Sequence, residues 1–369
     1  MIGSRTLPVV ERLHNSQPLL RKEESHPWEN KVVFNPAAVL IEDRATLDRI
    51  NAALPFDDAV CRQLAAQRAL TFLLYRAQGN PGTSYDYRRS ALGLAVLSPK
   101  LELLARHSKP ILLPNSSFDD LGVEDARITR IGQTFYMCYC GYGSGAGKNR
   151  IRIALASSVD LVHWEKHGLL RGAFNQIDNK NGMLFPQRVG GKFLLFHRPM
   201  EGKDALSIHL AEADDVLGEW TSRGVVMKPL ANSAFKDVWI GGGAPPILLP
   251  DGRFLVIYHI GNRRVDGERE YDLGIAVADP SKPEFIVRRD EPLLRPQTQA
   301  ETTGDADLGV NNVVFVCAAY FYEGDIYFPY AGADSVVLAG RIGGKELEEY
   351  LSAFPANSNA PLDSPAARH

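Results

Sequence analysis

Gly132–Gly143 reads GQTFYMCYCGYG. A glycine turn runs into an unbroken apolar and aromatic stretch, the composition of a β-strand. Alone it does not say which β-fold it belongs to; its recurrence does. Gly191–Met200 (GKFLLFHRPM), Gly252–Gly261 (GRFLVIYHIG) and Gly324–Asp334 (GDIYFPYAGAD) repeat the pattern, with the glycines 59, 61 and 72 residues apart. Thr71–Gly79 (TFLLYRAQG) has the same strand without the leading glycine. A second series follows these strands: LGLAVLSPKLE, IALASSVDLVHWE, IHLAEADDVLGEW, LGIAVADPSKPEF and VVLAGRIGGKELE. Counted from Leu94, Leu155, Leu210, Ile275 and Leu338, its steps are 61, 55, 65 and 63 residues. Five strand-rich units of about sixty residues predict an all-β chain folded as a five-bladed β-propeller with short accessory helices. A β-sandwich is the competing architecture, but it has no need of five matched units.

The repeat sets the domain boundaries. Residues 1–30 are expected to be an N-terminal extension, 31–342 the propeller and 343–369 a short helix with a disordered tail from 353. Residues 44–69 have helical spacing broken at Pro55 and read as an insertion. Its apolar face either covers a blade or meets a neighbouring subunit, so a homo-oligomer is one reading. In 369 residues, 45% are hydrophobic and 23% charged, as in a globular protein with a core that needs no staples. The net charge of −3, spread along the chain, argues against a nucleic-acid partner. No run approaches a membrane span, and the N-terminus has no apolar leader, so the cytoplasm is expected. Cys61, Cys138, Cys140 and Cys317 form no CxxC, so they read as buried free thiols and no zinc or other metal site is expected.

Polar residues collect at one end of the repeated strands. Aligned on the glycine, the same place holds His197 and Arg198, Tyr258 and His259, then Tyr330 with Asp334 four residues on; Tyr75 and Arg76 match it in the first unit. In a propeller those ends surround one axial funnel. The segments leading into the strands carry Gly, Asn or Pro: NPAAV at Asn35, GVEDARIT at Gly122, NKNGMLFPQR at Asn179, WIGGGAPPI at Trp239 and GVNNVVF at Gly309. Such segments let backbone and short polar side chains approach a ligand closely. GGGAPP is no phosphate loop, because no GK[ST] follows it. GVEDARIT puts two acids and a base where an apolar strand begins. It is either a turn with a surface ion pair or a catalytic acid at the mouth of the fold.

Taken in order, GVEDARIT, RIRIALASSVDLVHW, NKNGMLFPQRVGGKFLLFHRP, GGGAPPILLPDGRFLVIYH, YDLGIAVADP and NNVVF with GADSVVLA resemble glycoside hydrolase family 130, the mannoside phosphorylases and related β-mannosidases. The resemblance covers about residues 30 to 342 and implies a five-bladed propeller, in agreement with the repeat. It implies that Asp125 is the catalytic acid, delivering its proton through a sugar hydroxyl, while phosphate attacks the anomeric carbon from the opposite face with inversion. Arg127 would hold the −1 sugar or orient Asp125. Asn35, Arg76, Ser90 and Asp334 match positions that bind sugar hydroxyls, and His259 stands at the same funnel end. Lys180, Arg198 and Tyr271, with His197 adjacent, match the phosphate-contacting set.

Two positions depart from the family pattern. Ala126 stands where EDPR has proline. Trp239 stands where the phosphorylases have a lysine before I-G-x-G-x-P-P-I. Trp239 cannot offer charge to phosphate but can stack on a sugar, and a charge-assisted hydrogen bond that is not made forgoes about 1.5–3 kcal/mol. That favours hydrolysis, with inorganic phosphate a co-substrate only in the alternative, a phosphorylase; no other cofactor is expected. An inverting hydrolase needs a carboxylate base about 6.5–9.5 Å from the acid. Asp237 is the candidate, with Glu270 and Asp272 behind it. The expected partner is a β-1,2- or β-1,4-linked mannoside. The competing class is a carbohydrate-binding propeller without chemistry, which would have no use for Asp125. Interaction propellers carry Trp-Asp or Kelch signatures, which are missing here.

Overall fold

The strands found by their repetition are not the innermost ones. In each unit the polar lead-in segment is the first strand, the glycine-led apolar stretch the second, and the second series the third. In the computed structural model, Gly122–Ile131, Thr134–Gly143, Arg150–Ser158 and Glu165–Leu169 make one antiparallel sheet in that order. Val32–Ile41, Leu70–Gln78, Ala91–Leu97 and Leu103–Arg106 make the blade before it. Asn179–Leu184, Phe193–Pro199, Ile208–Ala213 and Thr221–Met227 make the third, and Asp237–Gly242, Phe254–Arg263, Arg269–Asp279 and Lys282–Arg288 the fourth. Val314–Val316, Asp325–Gly332 and Val336–Ile342 begin the fifth, so the chain is a five-bladed β-propeller. The structure describes residues 7–82, 89–145, 150–279, 282–288 (backbone alone before Arg288) and 291–352; the tail expected from 353 lies outside them.

The middle strands are apolar on both sides because each blade is sandwiched between two others. Leu74, Leu94, Val123, Ile128, Met137 and Ala154 share one core between the first two blades, and equivalent cores fill the other junctions. First strands touch first strands around the axis, Val32–Ile41 against Gly122–Ile131 and Asn179–Leu184 against both its neighbours.

The N-terminal segment is part of the ring rather than an extension of it. Val10–Arg12 pairs antiparallel with the strand Val336–Ile342 and supplies the outer strand of the fifth blade. Arg12 locks it there: its Nε donates to Glu301 at 2.8 Å and its Nη2 to the second carboxylate oxygen at 3.1 Å. Glu301 is fully buried and also accepts from the Tyr330 hydroxyl at 2.8 Å. The insertion forms two helices, Arg44–Asn51 and Asp58–Ala65, capped by Asp43 and Asp57. Their apolar face covers the first two blades: Leu47, Ile50, Leu54 and Leu64 join that core, and Arg49 donates to the Val159 carbonyl at 2.8 Å. A closing helix, Gly344–Leu351, packs on the fourth and fifth blades through Leu347, Tyr350 and Leu351. Among the described residues no helix is long and apolar enough to cross a membrane.

Arg12→Ala leaves the Glu301 carboxylate buried with one partner fewer. It should cost about 3 kcal/mol in denaturant unfolding, the lower end for a buried pair because Arg12 is partly accessible. A loss below about 0.5 kcal/mol would show that the N-terminal strand does not close the ring.

Candidate active site

Three innermost strands break register at one level, each at a short polar residue in the left-handed conformation. The breaks fall between Phe34 and Ala37, Glu124 and Arg127, and Lys180 and Met183. They contain Asn35 (φ 44°), Asp125 (φ 51°) and Asn181 (φ 58°). Asn and Asp tolerate this region better than other side-chain-bearing residues. A bulge re-aims a side chain out of the pleat, and here it does so three times around one axis.

Asp125 is the centre of the group. Asn35 Nδ2 donates to its Oδ1 at 2.7 Å and Arg76 Nη1 at 3.0 Å. Arg76 also donates through Nη2 to Glu124 at 2.8 Å and through Nε to Ser90 at 2.9 Å, and Gln78 holds the same Ser90 hydroxyl at 3.0 Å. Arg76 is therefore spent on protein groups. Burial alone would raise Asp125, but Arg76, then Lys180 and Arg127, with the Asn35 bond, bring it down to about 2. Asp334 goes the other way: burial, the largest effect, lifts it to about 7 against the pull of Arg76, and Asp125 and Glu124 add repulsion. Asp125 is thus held ionised at neutral pH, whereas Asp334 holds its proton far more readily.

Arg127 does not face the funnel. Its Nε donates to the Gly243 carbonyl at 2.6 Å, Nη2 to the Gly242 carbonyl at 2.9 Å and Nη1 to the Asp125 carbonyl at 2.8 Å. The guanidinium is a tie between the second and fourth blades, against the expectation that it holds sugar. Arg198 is the opposite case. It is 5% exposed, and its Nε and Nη1 have no hydrogen-bond partner among the described residues. Among the described residues it makes no ion pair, and burial lowers its pKa. Lys180, its register partner, is half-buried and likewise makes no ion pair among the described residues. Gly241 allows the approach: a Cβ there would lie 2.8 Å from Arg198 Nη1 and 2.9 Å from Asn181 Oδ1, which also lacks a partner.

The fourth blade makes one wall. Trp239, Gly261 and Tyr271 form a cross-strand row, and the indole Nε1 donates to the Tyr271 hydroxyl at 3.2 Å. His259 stacks on Phe315, 3.6 Å between ring centres, and its Nε2 lies 2.8 Å from the Val316 carbonyl. Burial, with Arg127, pushes it well below the ordinary histidine range, so it is a neutral packing group. His197 alternates with Arg198 along its strand and faces away, against Phe174 and beside Asn179; burial and His209 bring it down to about 3. The proposed bases do not join the cluster. Asp237 is half-exposed and ion-paired with Arg263 at 3.3 Å. Glu270 and Asp272 sit on the side of the blade away from Tyr271, lining a separate cavity of about 610 Å³. Glu124 and Asn181 belong to the group, and the sequence reading does not single them out. Among the described residues no group of three or more His, Cys, Asp or Glu could hold a metal ion.

A glycoside hydrolase family 130 model, described as beta-1,4-mannooligosaccharide phosphorylase, matches residues 70–352. A 1,2-beta-oligomannan phosphorylase of Thermoanaerobacter sp. (strain X514) is 32% identical over 327 residues, 88% of this chain and 94% of the relative. A beta-1,2-mannobiose phosphorylase of the same strain is 32% identical over 333 residues, covering 88% and 93%. The solved structure of a beta-1,2-mannobiose phosphorylase from Listeria innocua, in complex with beta-1,2-mannobiose, superposes with a TM-score of 0.70 at 18% identity, covering 93% of this chain and 99% of that one. The chain belongs to glycoside hydrolase family 130, and it is an enzyme of that family.

Asp272 supplies a stability test away from the funnel. Burial, with Glu270, raises it to about 7. A carboxyl that holds its proton folded but not unfolded makes stability fall as pH rises from about 4 to 7. Asp272→Asn should therefore gain about 1–3 kcal/mol more at pH 8 than at pH 4, read from unfolding at each pH. An equal effect at both would mean that folding does not raise the Asp272 pKa.

Proposed function

We propose that this enzyme is a β-mannoside phosphorylase, transferring a mannosyl group from a β-1,2-linked mannoside to inorganic phosphate and releasing mannose 1-phosphate. Arg198 carries the proposal: a buried guanidinium with two unpartnered donors calls for an anion. Around the bulges the cations Arg76, Arg127, Lys180 and Arg198 outnumber the acids Glu124, Asp125 and Asp334, and an anion offsets the excess. Of the two catalytic readings drawn from the sequence, this one also agrees with the relatives, which are phosphorylases by name. The hydrolytic reading loses its support, because Asp237 is tied to Arg263 at the rim and Glu270 and Asp272 lie across the blade. The substrate linkage follows the two relatives that cover most of the chain.

In this reading phosphate lies on Arg198, Lys180 and Tyr271, with Asn181 beside them. Asn35 and Asp334 are the groups open to sugar hydroxyls; Arg76 and Ser90 hold Asp125 in place. Asp125 is the acid, although it is ionised in the free protein. Phosphate on Lys180 offsets one of the charges that hold Asp125 down and adds negative charge nearby, so binding moves it towards its protonated form. The acid is loaded when the co-substrate arrives. Hydrogen phosphate supplies the proton to Asp125, which passes it through a sugar hydroxyl to the glycosidic oxygen as the glycosidic C–O bond breaks and a phosphate oxygen bonds the anomeric carbon; the leaving sugar keeps the proton and Asp125 ends ionised as it began.

The direct test is incubation of β-1,2- and β-1,4-mannobiose with and without phosphate. Mannose 1-phosphate is expected from the β-1,2 substrate only when phosphate is present. Free mannose released at the same rate without phosphate would overturn the proposal in favour of hydrolysis. Asp125→Asn should lose about 10²–10⁴-fold in turnover while still binding mannobiose; near-normal turnover would place the acid elsewhere.

A further inference from the structure

Trp239 stands where the sequence pattern leads one to expect a lysine, and its surroundings give the exchange a purpose. The indole is 7% exposed. It lies against the backbone of Gly261, where a Cβ would come within 2.1 Å of its Cε2. Its other neighbour is Tyr271, ring centres 5.5 Å apart in an edge-on arrangement. An indole covered in this way offers no open face on which a sugar could stack. What it offers is one N–H, and that N–H is used on the Tyr271 hydroxyl.

A phenol has one proton to donate and lone pairs to accept with. Once a lone pair is taken by the indole, the proton is turned away from Trp239. Tyr271 shares its cross-strand row with Trp239, and the next position on the same face of the inner strand, Gly241, is where Arg198 lies. The tyrosine backbone is fixed as well: its N–H donates to the Asn312 carbonyl at 2.9 Å, and its ring packs edge-on against Phe315. The hydroxyl therefore has a set position and a set direction beside the unpartnered guanidinium.

We propose that Trp239 is a positioning residue for the co-substrate: its indole N–H holds the Tyr271 hydroxyl so that the phenolic proton is presented to the phosphate bound on Arg198. A neutral, oriented donor pair thereby takes the place of an ammonium group. The inference rests on the phosphorylase reading. It assigns to Trp239 a role in phosphate affinity without contact to phosphate or sugar.

A double-mutant cycle on phosphate KM tests it. Trp239→Phe keeps an aromatic ring over Gly261 and removes the N–H, and Tyr271→Phe removes the hydroxyl. Each should raise the phosphate KM about three- to tenfold, as expected for removal of one hydrogen bond, with the mannobiose KM within about twofold of wild type. The double variant should be no worse than Tyr271→Phe, because the indole acts only through the hydroxyl. An unchanged phosphate KM in Trp239→Phe, multiplying effects in the double variant, or an equal rise in mannobiose KM would overturn the assignment. Failure of the underlying reading shows separately, as turnover of the wild-type enzyme that does not depend on phosphate.

Discussion

The structure is organised around charge taken out of water at the propeller axis. Arg76, Glu124, Asp125, Arg127 and Arg198 are all nearly or fully buried there, and each charge in such a place must be paired or must cost several kcal/mol. Arg76 answers Glu124 and Asp125, and Arg127 answers three backbone carbonyls. Arg198 has no such partner for its Nε and Nη1 among the described residues. With Lys180 also outside any ion pair among the described residues, the proposed role of these two cations is to receive an anion. The ionised state of Asp125 belongs to the same balance, since Arg76 first, then Lys180 and Arg127, hold the acid down.

The backbone makes the arrangement possible. First strands of neighbouring blades meet at the axis, so a register break in each one turns a side chain towards the same point. Asn35, Asp125 and Asn181 occupy those breaks, and the glycines of the fourth blade do the complementary job by leaving room. Arg127 ties the second blade to the fourth through the Gly242 and Gly243 carbonyls. The second and third strands of every blade are buried on both faces and carry the stability. The bulges are confined to first strands, and Arg76, Arg198 and Tyr271 join them from the ends of second and third strands.

That division explains what is legible in the sequence. Strands sandwiched between blades are apolar throughout, so TFLLYRAQG, GQTFYMCYCGYG and their kin announce themselves and give the blade count. The true first strands, such as NPAAV and NKNGML, are interrupted by left-handed Asn or Asp and read as lead-ins to a strand. Val10–Arg12 is too short to show any period, so its place in the fifth blade is hidden and the segment reads as an extension. In the funnel, Asp125, Asn35, Arg76, Ser90, Lys180, Arg198 and Asp334 stand out by motif, and the fold brings them together. His197 and His259 are drawn in by position along the strand, but side-chain alternation and burial turn them into packing groups. Glu124 and Asn181 escape the motif reading although a signal exists: each sits beside or at a left-handed polar residue at the matching point of its unit. Asp237 is suggested by its sequence distance from Trp239, which says nothing of its partner Arg263 on the neighbouring strand.

The central claim is that Arg198 is the anion's seat. Titration calorimetry of inorganic phosphate into the enzyme, in the presence of mannose, compared with the Arg198→Met variant, addresses it most directly. The account predicts saturable binding of phosphate by the wild type, weakened at least tenfold in the variant, as for removal of a charge-assisted hydrogen bond of about 1.5–3 kcal/mol. Equal phosphate affinity in the two proteins, or no binding by the wild type, would contradict it.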